Sequence, residues 1–132
     1  MRASANRVTS DGFKHTVSAG RHKITVDEPE ENGGTDRGPN PQEMLAVSLA
    51  SCTAITIEMY AKRKGWDIGE LSVDVDYEPA QRGSPTKFKM IMHLPKELPE
   101  DQRERLTQIA AKCPVHRTLE GEVMFEEEVE LS

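Results

Sequence analysis

Aromatic residues and clusters of positive charge are scarce in this chain of 132 residues. Only 5% of the residues are aromatic, and 17 Lys and Arg residues stand against 23 Asp and Glu residues, which gives a net charge of -6. Binding a phosphate backbone needs clustered Lys and Arg side chains, and stacking on bases needs exposed aromatic rings. The composition therefore argues against a nucleic-acid partner.

Long apolar runs are also missing. The first residues, MRASANRVTSDGFKHTV, contain no apolar core of the kind that a signal peptide has. The most apolar stretch, residues 40–65, is interrupted by Glu43 and Glu58, so no window offers the roughly 20 apolar residues of a membrane span. We therefore expect a cytoplasmic protein with no membrane partner.

Cysteine is limited to two residues, Cys52 and Cys113. Cytoplasmic thiols stay reduced, so these two are expected to be reactive groups or packing residues rather than a structural disulfide. The segment CPVH adds His116 near Cys113, but a structural zinc site needs four ligands and the chain offers no second close pair. We expect neither a metal ion nor another cofactor.

Hydrophobic periodicity and turn residues predict an α+β fold in one domain that covers residues 1–132. Strands and helices do not alternate one by one, which argues against a parallel doubly wound sheet. The predicted order is a hairpin or meander (8–26), a Gly- and Pro-rich loop (28–40), a long helix (40–65), two antiparallel strands (71–79 and 87–94), two helices (99–113 and 114–121) and a final strand (122–131).

The long helix carries start and stop signals that agree. Asn40 is a candidate N-cap, Pro41 fits the first helical position, Glu43 lies in the first turn, and Gly65 follows a cationic last turn. About 24 residues that rise about 1.5 Å each span roughly 36 Å. A helix of that length has to cross a whole small domain, so we expect most of it to be buried.

The two cysteines differ in their predicted surroundings. Cys52 shares an apolar helix face with Ile55 and Met59, where a free cysteine can pack as a small hydrophobe and where its pKa rises unless a cation or donors face it. Cys113 precedes Pro114 at a helix start, where backbone N–H groups favour a thiolate. Cys113 could equally complete the apolar face of the preceding helix.

Two segments, GPNPQEMLAVSLASCTAITIEMYAKRKG and KCPVHRTLEG, together resemble the OsmC/Ohr family, named for osmotically induced protein C and organic hydroperoxide resistance. The family pattern is G-x-N/S-P-x-E-L, followed by one cysteine in the same long helix and a second at a short helix before the last strand. Here that pair is Cys52 and Cys113. The resemblance covers nearly the whole chain and is closest to a less characterised OsmC-like branch.

The resemblance implies an OsmC-like α+β fold in which antiparallel sheets wrap around a long central helix and two chains intertwine as a homodimer. It also implies a thiol-dependent peroxidase that reduces small organic hydroperoxides. Cys52 would be the peroxidatic residue, oxidised to sulfenic acid, and Cys113 the resolving residue that forms a disulfide with it. A dithiol reductant would then restore both thiols.

The same resemblance implies an arginine that keeps the Cys52 thiolate ionised and an acid that holds this arginine. At the position of the Ohr-type acid this chain has Gln42, while Glu43 is one step later and points nearly opposite Cys52 on a straight helix. The turn TSDG holds no Ohr-type arginine, whereas Arg37 in GGTDRGPNP matches the OsmC-like position. Arg37 and Glu43 are therefore the candidates, with Arg7 a weaker one, and each can also be read as a loop charge or a helix-terminal acid.

Three functions fit these residues. The first is a cytoplasmic thiol-dependent peroxidase. The second is a non-catalytic binding protein with both cysteines structural, and the third is a redox sensor that forms the Cys52–Cys113 disulfide without rapid turnover. Fold alone does not choose among them.

Overall fold

The computed structural model describes residues 1–131, which fall into two compact units, Met1–Val47 and the chain from Ser48 onward. In chain order the elements are β1 (Ala3–Arg7), β2 (His15–Ala19), β3 (His22–Val26), a short 3-10 helix (Glu30–Asn32), α1 (Pro41–Lys64), β4 (Ser72–Glu78), β5 (Lys87–His93), α2 (Glu100–Ala110) and α3 (Pro114–Glu120). The predicted α+β class, with antiparallel sheets and one long helix, is confirmed.

The first unit contains a three-stranded antiparallel meander in the order β1-β2-β3. In its two turns Gly12 and Gly20 adopt positive φ angles of 60° and 59°. The meander begins at Ala3, earlier than predicted. The strand β1 was not predicted because each of its residues is small or polar and exposed. Such a strand forms through its pairing with β2 and leaves no apolar alternation in the sequence.

The predicted loop at residues 28–40 is held by backbone hydrogen bonds at both ends. The Asp27 N–H donates to the Pro39 carbonyl at 3.2 Å, and the Asp36 N–H donates to the Glu28 carbonyl at 3.1 Å. Asp36 takes a φ of 53°, a left-handed conformation that Asp tolerates better than most residues. The loop is thus a defined backbone structure between β3 and α1.

The helix α1 begins and ends within one residue of its predicted bounds. Asn40 and Glu43 form a reciprocal capping box: the Glu43 N–H donates to Asn40 Oδ1 at 2.8 Å, and the Asn40 N–H donates to the Glu43 carboxylate at 3.0 Å. Gly65 takes a φ of 70° just past the last turn. Both ends of α1 are therefore fixed by local chemistry.

The expectation that most of α1 is buried is wrong. Its fully buried residues form one narrow stripe with a spacing of four, namely Leu49, Thr53, Ile57 and Ala61. Val47, Ile55 and Met59 are 56%, 53% and 64% exposed. Length implies a path across a domain, but burial depends on what packs against each face.

The expectation that no segment is long and apolar enough to span a membrane is also wrong. By length and mean hydropathy, 1.5 over its most apolar window, α1 could cross a membrane. The central helix of a soluble protein passes the same test. The acidic residues Glu43 and Glu58 are too few to set α1 apart from a span.

The second unit combines the rest of α1 with an antiparallel pair, β4 and β5. The predicted apolar faces meet in register, with the cross-strand partners Val73 and Met92, Val75 and Met90, and Tyr77 and Phe88. The core of this unit joins α1 to α2 through six buried residues: Ile57, Ala61, Ile68, Leu98, Leu106 and Ala110. These contacts fix α2, and with it the segment that leads into α3.

The final strand predicted at residues 122–131 is wrong for the single chain. Residues 121–131 form no helix or strand, and Phe125, Val129 and Leu131 are 85%, 85% and 96% exposed. Alternating apolar residues give a segment strand propensity, but a strand exists only where an edge accepts its backbone hydrogen bonds. Within residues 1–131, no strand of the same chain pairs with this segment.

Candidate functional site

The fold brings the two cysteines together in the second unit. Cys52 lies half-buried in α1, and Cys113 is fully buried directly before α3. Both are free thiols, and they lie close enough for each to shift the pKa of the other, with Cys113 raising that of Cys52 and Cys52 lowering that of Cys113. Two thiols from distant parts of the chain that lie near each other meet the first requirement for thiol–disulfide chemistry.

Local sequence explains how Cys113 is presented. Pro114 occupies the first position of α3, where its missing N–H costs nothing, and Cys113 takes the N-cap position. The Cys113 sulfur accepts a hydrogen bond from the His116 N–H at 3.3 Å, as a cap side chain does. The segment CPVH thus works as a capped helix start.

Hydrogen bonds make Cys113 the more acidic thiol. Its burial opposes ionisation, but the Cys52 thiol, the His116 N–H, the Thr53 hydroxyl and the Val115 N–H all face its sulfur. Together these donors lower the pKa of Cys113. This direction agrees with the thiolate-favouring surroundings expected for Cys113 from the sequence.

Cys52 shows the opposite behaviour. Burial raises its pKa, and the neighbouring Cys113 thiol raises it further. The Val115 N–H and the Thr56 hydroxyl offset these effects only in part. Cys52 is therefore the thiol of the pair that ionises less readily.

A cleft of about 1110 Å³ opens beside Cys52. Its apolar walls include Ile55 and Met59 from α1, together with Ile109, Pro114 and Val115. Its polar lining consists of the hydroxyls of Ser48, Ser51, Thr56 and Tyr60 and the cations Lys62, Arg63 and Lys112. The cleft gives Cys52, and not the buried Cys113, a route to a small molecule.

The other predicted site residues belong to the first unit. Arg37 is exposed, and its backbone N–H donates to the carboxylate of Asp27 at 3.2 Å. The Glu43 carboxylate accepts the Asn40 N–H in the capping box. The weaker candidate Arg7 donates through Nε to the Thr9 carbonyl at 3.1 Å. The catalytic roles of Arg37 and Glu43 remain predictions.

Metal-binding groups do not gather around the cysteines. In the part of the chain that the structure describes, no three His, Cys, Asp or Glu side chains are grouped so that they could hold a metal ion. The ring of His116 instead lies 2.9 Å from the carboxylate of Glu120.

Sequence reasoning missed Thr53 at this site and, separately, Asp27 in the first unit. Thr53 is fully buried, its hydroxyl has no partner of standard hydrogen-bond geometry within residues 1–131, and it faces the Cys113 sulfur. A signal for it existed, because it lies next to Cys52 at a helix position whose periodicity matches Leu49 and Ile57. Asp27, 1% exposed at the end of β3, reads in the sequence as one of many acidic residues.

Comparisons with known proteins found a matching family and a related sequence. The family model described as OsmC-like protein matches residues 34–128. An uncharacterized protein of Haloferax volcanii is 25% identical over 118 residues, which are 88% of this chain and 86% of that protein.

Two solved structures share the fold. An OsmC-like protein from Mycoplasma pneumoniae matches with a TM-score of 0.71 and 21% identity, covering 91% of this chain and 86% of the other. The organic hydroperoxide resistance protein OhrB of Bacillus subtilis matches with a TM-score of 0.60 and 21% identity, covering 92% of each chain. Since the family model spans most of the sequence, including both cysteines, this chain belongs to the OsmC-like protein family.

Proposed function

We propose that the protein is a thiol-dependent peroxidase that reduces organic hydroperoxides, with Cys52 as the peroxidatic and Cys113 as the resolving cysteine. The observation that carries the proposal is that a cleft-lining Cys52 lies beside a buried Cys113, close enough for each to shift the pKa of the other. A thiol that meets the peroxide must be reachable, whereas a thiol that closes a disulfide needs only to touch the first. The resistance protein OhrB of Bacillus subtilis, a structural neighbour, supports this direction.

The first half of the reaction oxidises Cys52. Its thiolate attacks the terminal oxygen of the hydroperoxide, the O–O bond breaks, and Cys52 becomes a sulfenic acid. The Cys113 sulfur, the more acidic of the two, takes the Cys52 proton beforehand and passes it to the leaving alkoxide. The products of this half are an alcohol and a Cys113 thiolate beside the sulfenic acid.

The second half restores the enzyme. The Cys113 thiolate attacks the Cys52 sulfur, an S–S bond forms, and hydroxide leaves and is protonated to water. A dithiol then exchanges with this disulfide, returning both cysteines to thiols and becoming a disulfide itself. The two electrons that reduce the peroxide thus come from the external dithiol.

Ionisation of Cys52 needs a cation, because burial and the neighbouring Cys113 thiol both oppose it. We assign this role to Arg37, whose guanidinium would favour the Cys52 thiolate over the Cys113 thiolate. Glu43 is the candidate acid to hold the guanidinium, in addition to capping α1.

We also propose that the active form is an intertwined homodimer. In the first unit, a cavity of about 670 Å³ is lined mainly by apolar residues such as Phe13, Val17 and Met44. In the second unit, Ile55 and Met59 on α1 and the apolar residues of 121–131 are exposed. Apolar surfaces on this scale in a small protein indicate an interface, and the partner that we propose for it is a second copy of this chain.

The peroxidase proposal is tested by counting thiols and following turnover. One equivalent of cumene hydroperoxide should remove both free thiols of the reduced protein, and dithiothreitol or a lipoyl dithiol should sustain repeated peroxide consumption. Cys52→Ser should abolish consumption. Cys113→Ser should still allow one turnover that leaves a sulfenic acid on Cys52, detectable by mass spectrometry after trapping.

The alternatives give other results in the same assay. A redox sensor loses two thiols quickly but recycles slowly with every dithiol offered. A binding protein keeps both thiols after the peroxide is added, and that outcome would refute the proposed function.

A further inference from the structure

The strands β4 and β5 form a sheet of only two strands, so within residues 1–131 each of them leaves its outer edge unpaired. A two-stranded sheet is marginally stable in water, and an edge strand presents a row of free N–H and C=O groups. The segment 122–128 belongs to the same compact unit and has the alternation of a strand, but it forms none. An open edge and an unpaired strand pattern therefore occur in one chain.

The strand β5 has an apolar face and a basic face. Its exposed positions hold Lys87, Lys89 and His93, and the half-buried Ile91 lies on the same face as these three residues. The other face is half-buried throughout. That face consists of Phe88, Met90 and Met92.

The segment 122–128 matches both faces of β5 in one antiparallel register, in which Glu122 lies opposite His93. Directly opposite residues share a face, and both apolar pairs and pairs of opposite charge stabilise a sheet. The pairs on the basic face are Glu122 with His93, Met124 with Ile91, Glu126 with Lys89 and Glu128 with Lys87. The pairs on the apolar face are Val123 with Met92, Phe125 with Met90 and, as the one mismatch, Glu127 with Phe88.

Other antiparallel registers fit less well. A shift by one residue exchanges the two faces of the segment. A shift by two residues in either direction sets a glutamate opposite Ile91 and moves Met124 opposite a basic residue of β5. The register with Glu122 opposite His93 is therefore the one in which charge and apolarity agree.

The other sheet edges are also poorer partners for an acidic segment. The first sheet ends in β1 and β3, and each of these strands contains a single Lys or Arg. The exposed face of β4 is acidic and would repel the glutamates. Its acids are Asp74, Asp76 and Glu78.

The partner of β5 is a segment from another chain. Within one chain the segment 122–128 does not pair with β5, and its residues Val123, Met124 and Phe125 are exposed. A two-fold axis between two copies lets each chain donate the segment once and accept it once. Such an exchange closes the β5 edge of both copies.

We propose that residues 122–128 of a second copy add to β5 as a third, antiparallel strand, with Glu122 opposite His93. This inference rests on the homodimer of the proposed function and assigns the surface through which the copies meet. Backbone hydrogen bonds along the edge supply the attachment, and the two matched faces select the register.

The test is a cross-link between two chains that each carry one cysteine. In a background of Cys52→Ser and Cys113→Ser, one protein carries Glu126→Cys and the other Lys89→Cys. The two proteins are unfolded in urea, mixed, refolded and oxidised mildly. Opposite residues of an antiparallel pair have Cα atoms roughly 4.5–5.5 Å apart, which a disulfide spans, so we expect a covalent dimer with one chain of each kind on a non-reducing gel.

Two matched mixtures serve as controls. Glu130→Cys with Lys89→Cys moves the thiol four residues along the same face of the segment, about 13 Å away, and should give no cross-link. Glu126→Cys with Asp76→Cys probes β4, which lies behind β5 in the proposed arrangement, and should also give none.

A charge reversal keeps the inference testable if the background without native cysteines does not fold. In the wild-type background, Glu128→Lys sets two lysines opposite each other at both contacts and should raise the dimer dissociation constant by about tenfold. Glu130→Lys makes the same change beyond the end of β5 and should leave this constant unchanged. Reversal is needed because neutralising a single exposed ion pair changes stability little.

Three results would overturn the inference. A cross-link could form with Glu130→Cys or Asp76→Cys and not with the proposed pair, a chain carrying both Glu126→Cys and Lys89→Cys could close the disulfide only within itself, or Glu128→Lys could weaken the dimer no more than Glu130→Lys does. A dimer in light scattering without the proposed cross-link rejects this surface and keeps the homodimer, whereas a monomer rejects both. None of these measurements uses peroxide, so they leave the cysteine chemistry to its own test.

Discussion

At the scale of single residues, the Thr53 hydroxyl lowers the stability of the fold and also lowers the pKa of Cys113. This hydroxyl is fully buried, has no partner of standard geometry among the described residues, and faces the Cys113 sulfur. A buried hydroxyl without a good partner costs about 1–3 kcal/mol of folding free energy. Valine fills the same space without the hydroxyl, so Thr53→Val separates the packing of this residue from its effect on the Cys113 sulfur.

We expect Thr53→Val to raise the free energy of unfolding by about 1 kcal/mol in urea denaturation of the reduced protein. The same change should raise the lower of the two thiol pKa values, measured by the ultraviolet absorbance of the thiolate against pH, since one donor to Cys113 is lost. Thr53→Ser is the control: it keeps the hydroxyl and the pKa but loses a buried methyl group. A valine variant that leaves both quantities unchanged contradicts this account.

Asp27 has a consequence for acid stability at the same scale. Its pKa in the folded protein is lowered, so its contribution to stability is present above the unfolded value of about 3.9 and is lost as the pH falls below it. The sequence shows Asp27 as one acid in an acidic stretch, and only burial and five donors distinguish it.

At the scale of elements, the sequence predicted where the helix α1 begins and ends, but it did not predict which of its residues are buried. The bounds of α1 follow from Asn40, Pro41, Glu43 and Gly65, because capping depends on side chains within one turn. The buried stripe of α1 follows from which elements pack on it, and these come from distant parts of the chain. The strand β1 escaped prediction for the same reason, since it exists through β2.

The capping box separates the two roles of Glu43. Asn40→Ala should lower the free energy of unfolding by about 1 kcal/mol, because it removes the acceptor of the Glu43 N–H. Glu43→Gln should keep the stability, since glutamine also closes a capping box, and it removes the charge. Peroxide turnover by Glu43→Gln then shows whether Glu43 has a catalytic role. A wild-type kcat/KM means that Glu43 only caps α1. A lower kcat/KM at unchanged stability means that Glu43 also belongs to the catalytic site.

At the scale of the whole molecule, the exposed apolar residues of 121–131 and of α1 indicate a surface that a partner covers. The segment alternates apolar residues with glutamates, a pattern that suits a strand with one covered and one wet face. A strand pattern without an edge in its own chain is explained when the edge belongs to a second copy.

We expect the protein to behave as a dimer of twice 14.8 kDa in light scattering coupled to size exclusion. A chain ending at Gly121 should lose the dimer or its stability, because the apolar residues of the removed segment leave the interface uncovered. As point variants, Phe125→Ser should weaken the dimer, while Glu126→Gln, on the neighbouring position, should not. A wild-type monomer at micromolar concentration contradicts the intertwined homodimer.

The sequence by itself determined what depends on neighbours along the chain: the ends of α1, the capped start of α3 at Cys113, the facing residues of β4 and β5, and the motif that identified the family. Tertiary structure decided what depends on distance in space. It brought Cys52 close to Cys113, and it buried Asp27 among hydrogen-bond donors. Within residues 1–131 it also left residues 121–131 without a strand to pair with. The physical reason is that capping and periodicity act within a turn or two, whereas pKa, burial and strand pairing are set by groups that the fold brings from elsewhere.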